Sequence, residues 1–119
     1  MAKIILIETE GPVRKYLAMV LREMGQEFTE MNDFTIAAQI ISRSKCDLVV
    51  LFIHQAQSKA GLWLTDIIDK SDNKCSIIVF SDAMSVVRSA KGKYTAAHLL
   101  VRFDSGQDAM IKQAITQAL

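Results

Sequence analysis

The chain has 119 residues, 14 Lys plus Arg against 13 Asp plus Glu, and two cysteines, Cys46 and Cys75. That length makes a single domain over residues 1–119, with a core large enough to stand without disulfide or metal staples. A net charge of +1 sets up no field that would draw in nucleic acid or an anionic membrane. Two cysteines make neither a disulfide framework nor a metal-ligand spacing, and they read as buried free thiols. The apolar N-terminus is interrupted by Glu8 and Glu10, far short of the ~20 residues a membrane span needs. No small-residue cleavage site follows, so a cytoplasmic location without membrane insertion is expected.

Lys3 to Ile7 is a β-rich apolar run closed by Glu8-Thr9-Glu10 and reads as a first strand. Gly11-Pro12 opens a helical pattern with Val13, Leu17, Val20, Leu21 and Met24 on one face; Pro12 suits the first turn and Gly25 the stop. Glu27 to Met31 is a short, weak strand. Asn32 or Asp33 caps a helix whose face is marked by Ile36, Ala37, Ile40 and Ile41. Leu48-Val49-Val50-Leu51-Phe52-Ile53 is an unbroken apolar run, the pattern of a parallel strand buried on both faces.

His54 to Ala60 reads as a polar loop, and Gly61 leads into a helix carrying Leu64, Ile67 and Ile68. Ser71-Asp72-Asn73-Lys74 is a turn cluster. Ser76 to Ser81 is a second strongly buried strand, and Met84 to Lys91 a helix with a thin stripe of Val87 and Ala90. Ala97 to Val101 is a fifth strand, and Met110, Ile111, Ala114, Ile115, Ala118 and Leu119 stripe a last helix. Five strands alternating with five helices predict an α/β domain, a parallel sheet covered on both faces through right-handed crossovers. A helix running to the last residue leaves continuation of the natural chain open.

Taken together, Lys3–Arg14, Asp47–Ile53, Gly61-Leu62, Ile78–Ser81 and Leu99–Asp104, in that order and spacing, resemble the receiver domain of bacterial two-component response regulators. The resemblance covers the whole chain. It implies a flavodoxin-like doubly wound (βα)5 three-layer sandwich with strand order 2-1-3-4-5. It also implies a phosphorylation pocket with two acidic residues after the first strand, an acceptor aspartate ending the third, a Thr or Ser after the fourth, and a Lys before a cis-proline after the fifth. Those positions are held here by Glu8 and Thr9, by Phe52, by Ser81, and by Arg102 with Phe103. The aromatic switch position on the fifth strand is Leu99.

Phe52 offers no nucleophile for an acyl phosphate. Magnesium wants octahedral oxygen ligands, and Glu8, with Glu10, leaves that set incomplete. The expectation is therefore no cofactor and no metal, with Arg102 pairing to Glu8 across the vacated pocket because a lone, partly buried charge is costly. Several residues also have plainer readings. Glu8 and Glu10 suit a helix N-terminus, Ser81 an ordinary strand end, and Trp63 half-buried packing rather than a partner anchor. His54 follows the third strand with no second ligand at suitable spacing, and His98 reads as a partly covered side chain.

The resemblance thus implies a degenerate pseudo-receiver: not an enzyme, but a phosphorylation-independent protein-interaction, signalling or localisation module. Its surface is expected at Arg88, Lys91, Lys93, Tyr94, His98 and Leu99, on the face of the fourth helix, fifth strand and fifth helix, where a protein partner or a second copy would dock. The alternative is a regulatory small-molecule or anion site at the strand ends, built from Glu8, Thr9, Ser81 and Arg102. No glycine-rich phosphate loop follows the first strand to support a nucleotide enzyme.

Overall fold

The computed structural model describes residues 2–71 and 75–119, so Asp72, Asn73 and Lys74 of the turn cluster lie outside the described residues. Five strands, β1 (Ile4–Ile7), β2 (Phe28–Met31), β3 (Leu48–Ile53), β4 (Ser76–Ser81) and β5 (Ala96–Leu99), form one parallel sheet in the order β2-β1-β3-β4-β5. The helices α1 (Gly11–Glu23), α2 (Phe34–Arg43), α3 (Ser58–Lys70), α4 (Met84–Ala90) and α5 (Asp108–Ala118) cover both faces. This is the flavodoxin-like α/β architecture anticipated above.

The period-two alternation of the strands splits the core into two layers. Ile4, Leu6, Leu48, Val50, Phe52, Ile78 and Phe80 meet α1 and α5 through Val13, Leu17, Leu21, Ile111 and Ile115. Ile5, Ile7, Val49, Leu51, Ile53, Ile77 and Val79 meet α2, α3 and α4 through Ala37, Ile41, Leu64, Ile68 and Val86. Because β1, β3 and β4 are buried on both faces, their apolar runs show no alternation in the sequence.

Local signals account for the helix ends. Pro12 sits in the first turn of α1, and Gly25 follows its end at φ 72°, where a side chain would be strained. Asp33 caps α2, its carboxylate accepting from the Ile36 N–H at 2.9 Å.

Four local expectations need correction. The buried face of α2 is Phe34, Ala37, Ala38 and Ile41, whereas Ile36 and Ile40 are exposed. The segment after β3 is no loop up to Ala60: a single 3₁₀ turn, Gln55–Gln57, runs into α3 at Ser58, so Gly61 lies inside the helix. There it touches β3, and a Cβ at that position would meet Ile53 side-chain carbons at 2.6 Å. Finally, β5 ends at Leu99, and Val101 is exposed beyond it. Trp63, expected half-buried, lies on the exposed side of α3. No helix among the described residues is long and apolar enough to cross a membrane.

Candidate functional site

Parallel strands deliver their carboxyl ends to one edge of the sheet, and the loops leaving β1, β3, β4 and β5 converge there. Glu8 directly follows β1. Its N–H donates to the Met31 carbonyl at 3.0 Å, prolonging the β1–β2 ladder, and this turns its side chain fully inward, 0% exposed. The Oε1 atom accepts from the Glu10 N–H at 2.9 Å and lies 2.8 Å from Nε2 of His54. The Oε2 atom is buried without a hydrogen-bond partner. Burial pushes the Glu8 carboxyl above its ordinary range, against the lowering effect of the Glu10 N–H and His54.

His54 is the hub of this edge. Besides Glu8, its Nε2 lies 3.7 Å from Glu10 Oε2, and its Nδ1 lies 3.8 Å from Asp82 Oδ2 in the turn after β4. Asp82 also accepts from the Gln55 N–H at 3.0 Å. Thr9 donates its hydroxyl to Gln57 Oε1 at 2.9 Å, tying the β1 end to the same turn. One imidazole therefore faces three carboxylates from two other strand ends.

The expected Arg102–Glu8 pair is absent. Arg102 is exposed, and its backbone N–H donates to Gln107 Oε1 at 2.9 Å. Of the pocket residues read from the sequence, Glu8, Thr9, Phe52 and Ser81 come together at the strand ends, while Arg102 stays outside. Its charge stays in solvent because His54, already at the strand edge, is within hydrogen-bonding reach of Glu8 without desolvating a guanidinium.

Phe52, 0% exposed, is covered from two sides. The His54 ring leans on it with centroids 4.6 Å apart, and Phe103 meets it edge-on at 5.8 Å. Tyr16 of α1 meets Phe103 edge-on in turn at 6.2 Å. The Tyr16 hydroxyl donates to the Asp104 carbonyl at 2.6 Å and contacts the Asp108 carboxylate, and burial, helped by that carboxylate, raises its phenol above the ordinary range. Thus Phe103, at the position where the resemblance places a proline, is the lid of an aromatic plug. Edge-on ring pairs of this kind contribute about 0.5–1.5 kcal/mol beyond the area they bury.

Ser81, also 0% exposed, spends its hydroxyl inside the fold: it donates to the Ile53 carbonyl at 2.5 Å and accepts from the Ala83 N–H at 3.1 Å. It thereby braces β3 against the entry to α4. Leu99 pairs in register with Ser81 and is half-buried.

This arrangement suits charge burial better than chemistry. Residue 52 carries no nucleophile, the Ser81 hydroxyl is engaged, and Glu8 is tied to His54. The residues do not fit magnesium, which takes six oxygens: Glu8 offers one uncommitted oxygen among a phenyl ring and an imidazole. Among the described residues no group of three or more His, Cys, Asp or Glu side chains is arranged to hold a metal ion.

His54 is the residue the sequence undervalued. Ile7 pairs with Leu51, so Glu8 and His54 both lie just beyond the ends of neighbouring parallel strands, and that shared position was the signal linking them.

On the surface read from the sequence, Arg88, Lys91 and Lys93 are exposed, and His98 and Leu99 are half-covered on the edge strand β5. The His98 imidazole is held below its ordinary range by burial and by Lys91. Tyr94 departs from this grouping. It is half-buried and donates its hydroxyl to Asp66 of α3 at 2.7 Å, so it braces α3 rather than standing free on the β5 edge.

The fold is the one found in response-regulator receiver domains. The chain aligns over its full length, and over the full length of the other chain, with the response regulator TrrA of Thermotoga maritima, solved in complex with magnesium and beryllofluoride, at 24% identity and a TM-score of 0.78. The receiver domain of NtrC4 from Aquifex aeolicus matches over 100% of both chains at 18% identity and a TM-score of 0.73. A pilus assembly protein, CpaE of Caulobacter crescentus, also matches over 100% of both chains, at 9% identity and a TM-score of 0.74. At such identities the likeness establishes the fold and leaves function to the site. No protein-family profile and no curated protein sequence matches the chain.

Proposed function

We propose that this receiver fold serves as a protein-interaction module that signals or localises without being phosphorylated, and that it is a pseudo-receiver rather than an enzyme. The observation that carries the reading is Phe52, fully buried where the resemblance puts the acceptor aspartate, under a lid of Phe103 and His54. A pocket so filled leaves no space for a phosphoryl group, and its buried carboxylate, Glu8, is already held by His54 and the Glu10 N–H.

The surface left to act is that of α4, β5 and α5. Arg88, Lys91 and Lys93 form a basic approach to the outer edge of β5, whose backbone is paired on one side only. An acidic protein segment, or the acidic face of a second copy, has the complementary chemistry. The anion-site alternative draws less support, since Glu8, Glu10 and Asp82 make the strand ends acidic around His54 and Arg102 lies outside.

Amide NMR shifts test the reading directly, with magnesium titrated first and beryllofluoride added after. Silence at Glu8, Thr9, Phe52 and Ser81 in a well-dispersed spectrum is expected. Saturable shifts confined to those residues would overturn it. On the surface side, Lys91→Glu is expected to abolish association with a partner or a second copy while leaving the unfolding midpoint unchanged.

A further inference from the structure

At the other end of the sheet, where β3 and β4 begin, lie the two cysteines. Both side chains belong to the core layer beneath α2 and α3: Cys46 is buried in it and Cys75 packs against it half-exposed. The β3–β4 register pairs Leu48 with Ser76, and the Ser76 N–H donates to the Asp47 carbonyl at 3.0 Å. Cys75 is thus opposite Asp47, and Cys46 is one residue off. Strands about 4.8 Å apart with a rise of about 3.3 Å per residue place such a pair near the roughly 5.5–6 Å between Cα atoms that a disulfide spans. Each cysteine lies outside its strand, where the ladder does not fix it, and both side chains turn into the same core layer.

The pair is chemically unequal. The neighbouring Cys46 thiol holds Cys75 below the ordinary thiol range, while the same contact and burial push Cys46 above it. Only Cys75 opens to solvent, in a small recess lined by Asp69, Ile77, Lys93, Tyr94 and Thr95. A half-exposed thiol with a buried second thiol in the same core layer is the arrangement of an attacking and a resolving cysteine.

We propose that Cys46 and Cys75 form a peroxide-sensitive thiol pair, with Cys75 as the site of oxidation and Cys46 as its resolving partner. The Cys75 sulfur attacks a hydroperoxide, so that an S–O bond forms, the O–O bond breaks, and water (or an alcohol, from an organic peroxide) leaves. The Cys46 sulfur then displaces water from the resulting sulfenic acid as the S–S bond forms. Two thiols are oxidised, one peroxide is reduced, and both thiol protons end in the released products. The device is independent of the strand-end pocket and stands whatever the fate of the phosphorylation reading.

The test exposes the reduced chain to hydrogen peroxide, blocks remaining thiols with iodoacetamide in denaturant, and reads mass and peptides without reductant. Expected are loss of both alkylatable thiols, a single peptide pair joining Cys46 to Cys75, and reversal by dithiothreitol. Cys46→Ser should leave a Cys75 sulfenic acid that dimedone captures, whereas Cys75→Ser should leave Cys46 free to alkylate. Two alkylated thiols after peroxide, a disulfide joining two chains, or equally fast oxidation of Cys46 in Cys75→Ser would each overturn the proposal.

Discussion

Phe52 and Glu8 pose opposite problems at one strand edge, and a single imidazole serves both by leaning on the ring and lying within hydrogen-bonding distance of the carboxylate. Restoring an acidic acceptor is therefore not a simple reversion. Phe52→Asp removes the centre of the aromatic plug, a loss of about 3–5 kcal/mol for a buried ring, and adds a carboxylate to a site already rich in them. The expected outcome is a large fall in urea midpoint with no phosphoryl uptake from acetyl phosphate; uptake would mean that the plug opens easily. Truncating His54 leaves the buried Glu8 carboxyl with the Glu10 N–H as its remaining close partner, so His54→Ala is expected to cost about 1–3 kcal/mol, and much less in a Glu8→Gln background, a coupling that a double-mutant cycle in urea measures. The raised carboxyl of Glu8 also fixes a sign. Above the ordinary value of 4.5 the folded state holds the Glu8 proton longer than the unfolded chain does, so this group makes stability fall as pH rises through the window up to its folded value. Urea midpoints from below 4.5 to neutrality should lose that component of slope in Glu8→Gln. Little of this was legible in the sequence: Glu8 and His54 are separated by most of two βα units, their shared place just beyond neighbouring strand ends was the one link, and Arg102 looked the natural partner.

The elements themselves were far more legible, and the misses share a cause. β3 and β4 stood out because unbroken branched runs have one good use in an α/β domain. On α2, Ile36 and Ile40 outweighed Phe34 and Ala38 by hydrophobicity alone, yet the small Ala37 and Ala38 face the sheet because the helix packs closely there. Gly61 reads in sequence as a helix start and works in space as the contact point of α3 with β3, where Ile53 fills the volume a Cβ would need. Gly61→Ala should gain helix propensity and still destabilise by about 1–3 kcal/mol through overpacking. Paired with Ile53→Ala the two changes should partly compensate, which thermal unfolding of the four variants would show; strict additivity would mean that the helix shifts freely on the sheet.

At the scale of the whole molecule, alternation of strands and helices implied a parallel sheet, but the order of those strands came from the resemblance, since nothing local in a βα repeat says where a chain reverses direction across a sheet. The site follows from that order: β1 and β3 are neighbours, so Glu8 and His54 meet. A ligand that binds only the folded state raises stability by about 2.7 kcal/mol when it exceeds its dissociation constant a hundredfold, which for a domain near this size moves the melting temperature by several degrees. Here the carboxylates that magnesium would need are held by His54, and the ring of Phe52 stands where another oxygen would be. Melting in millimolar magnesium chloride should therefore match melting in sodium chloride of equal ionic strength, because only general screening of the surface charges remains. A magnesium-specific rise that vanished in Glu8→Gln would place the cation at the buried carboxylate. It would mean that the His54 contact yields to metal and that the plugged edge is a second, openable state of the fold.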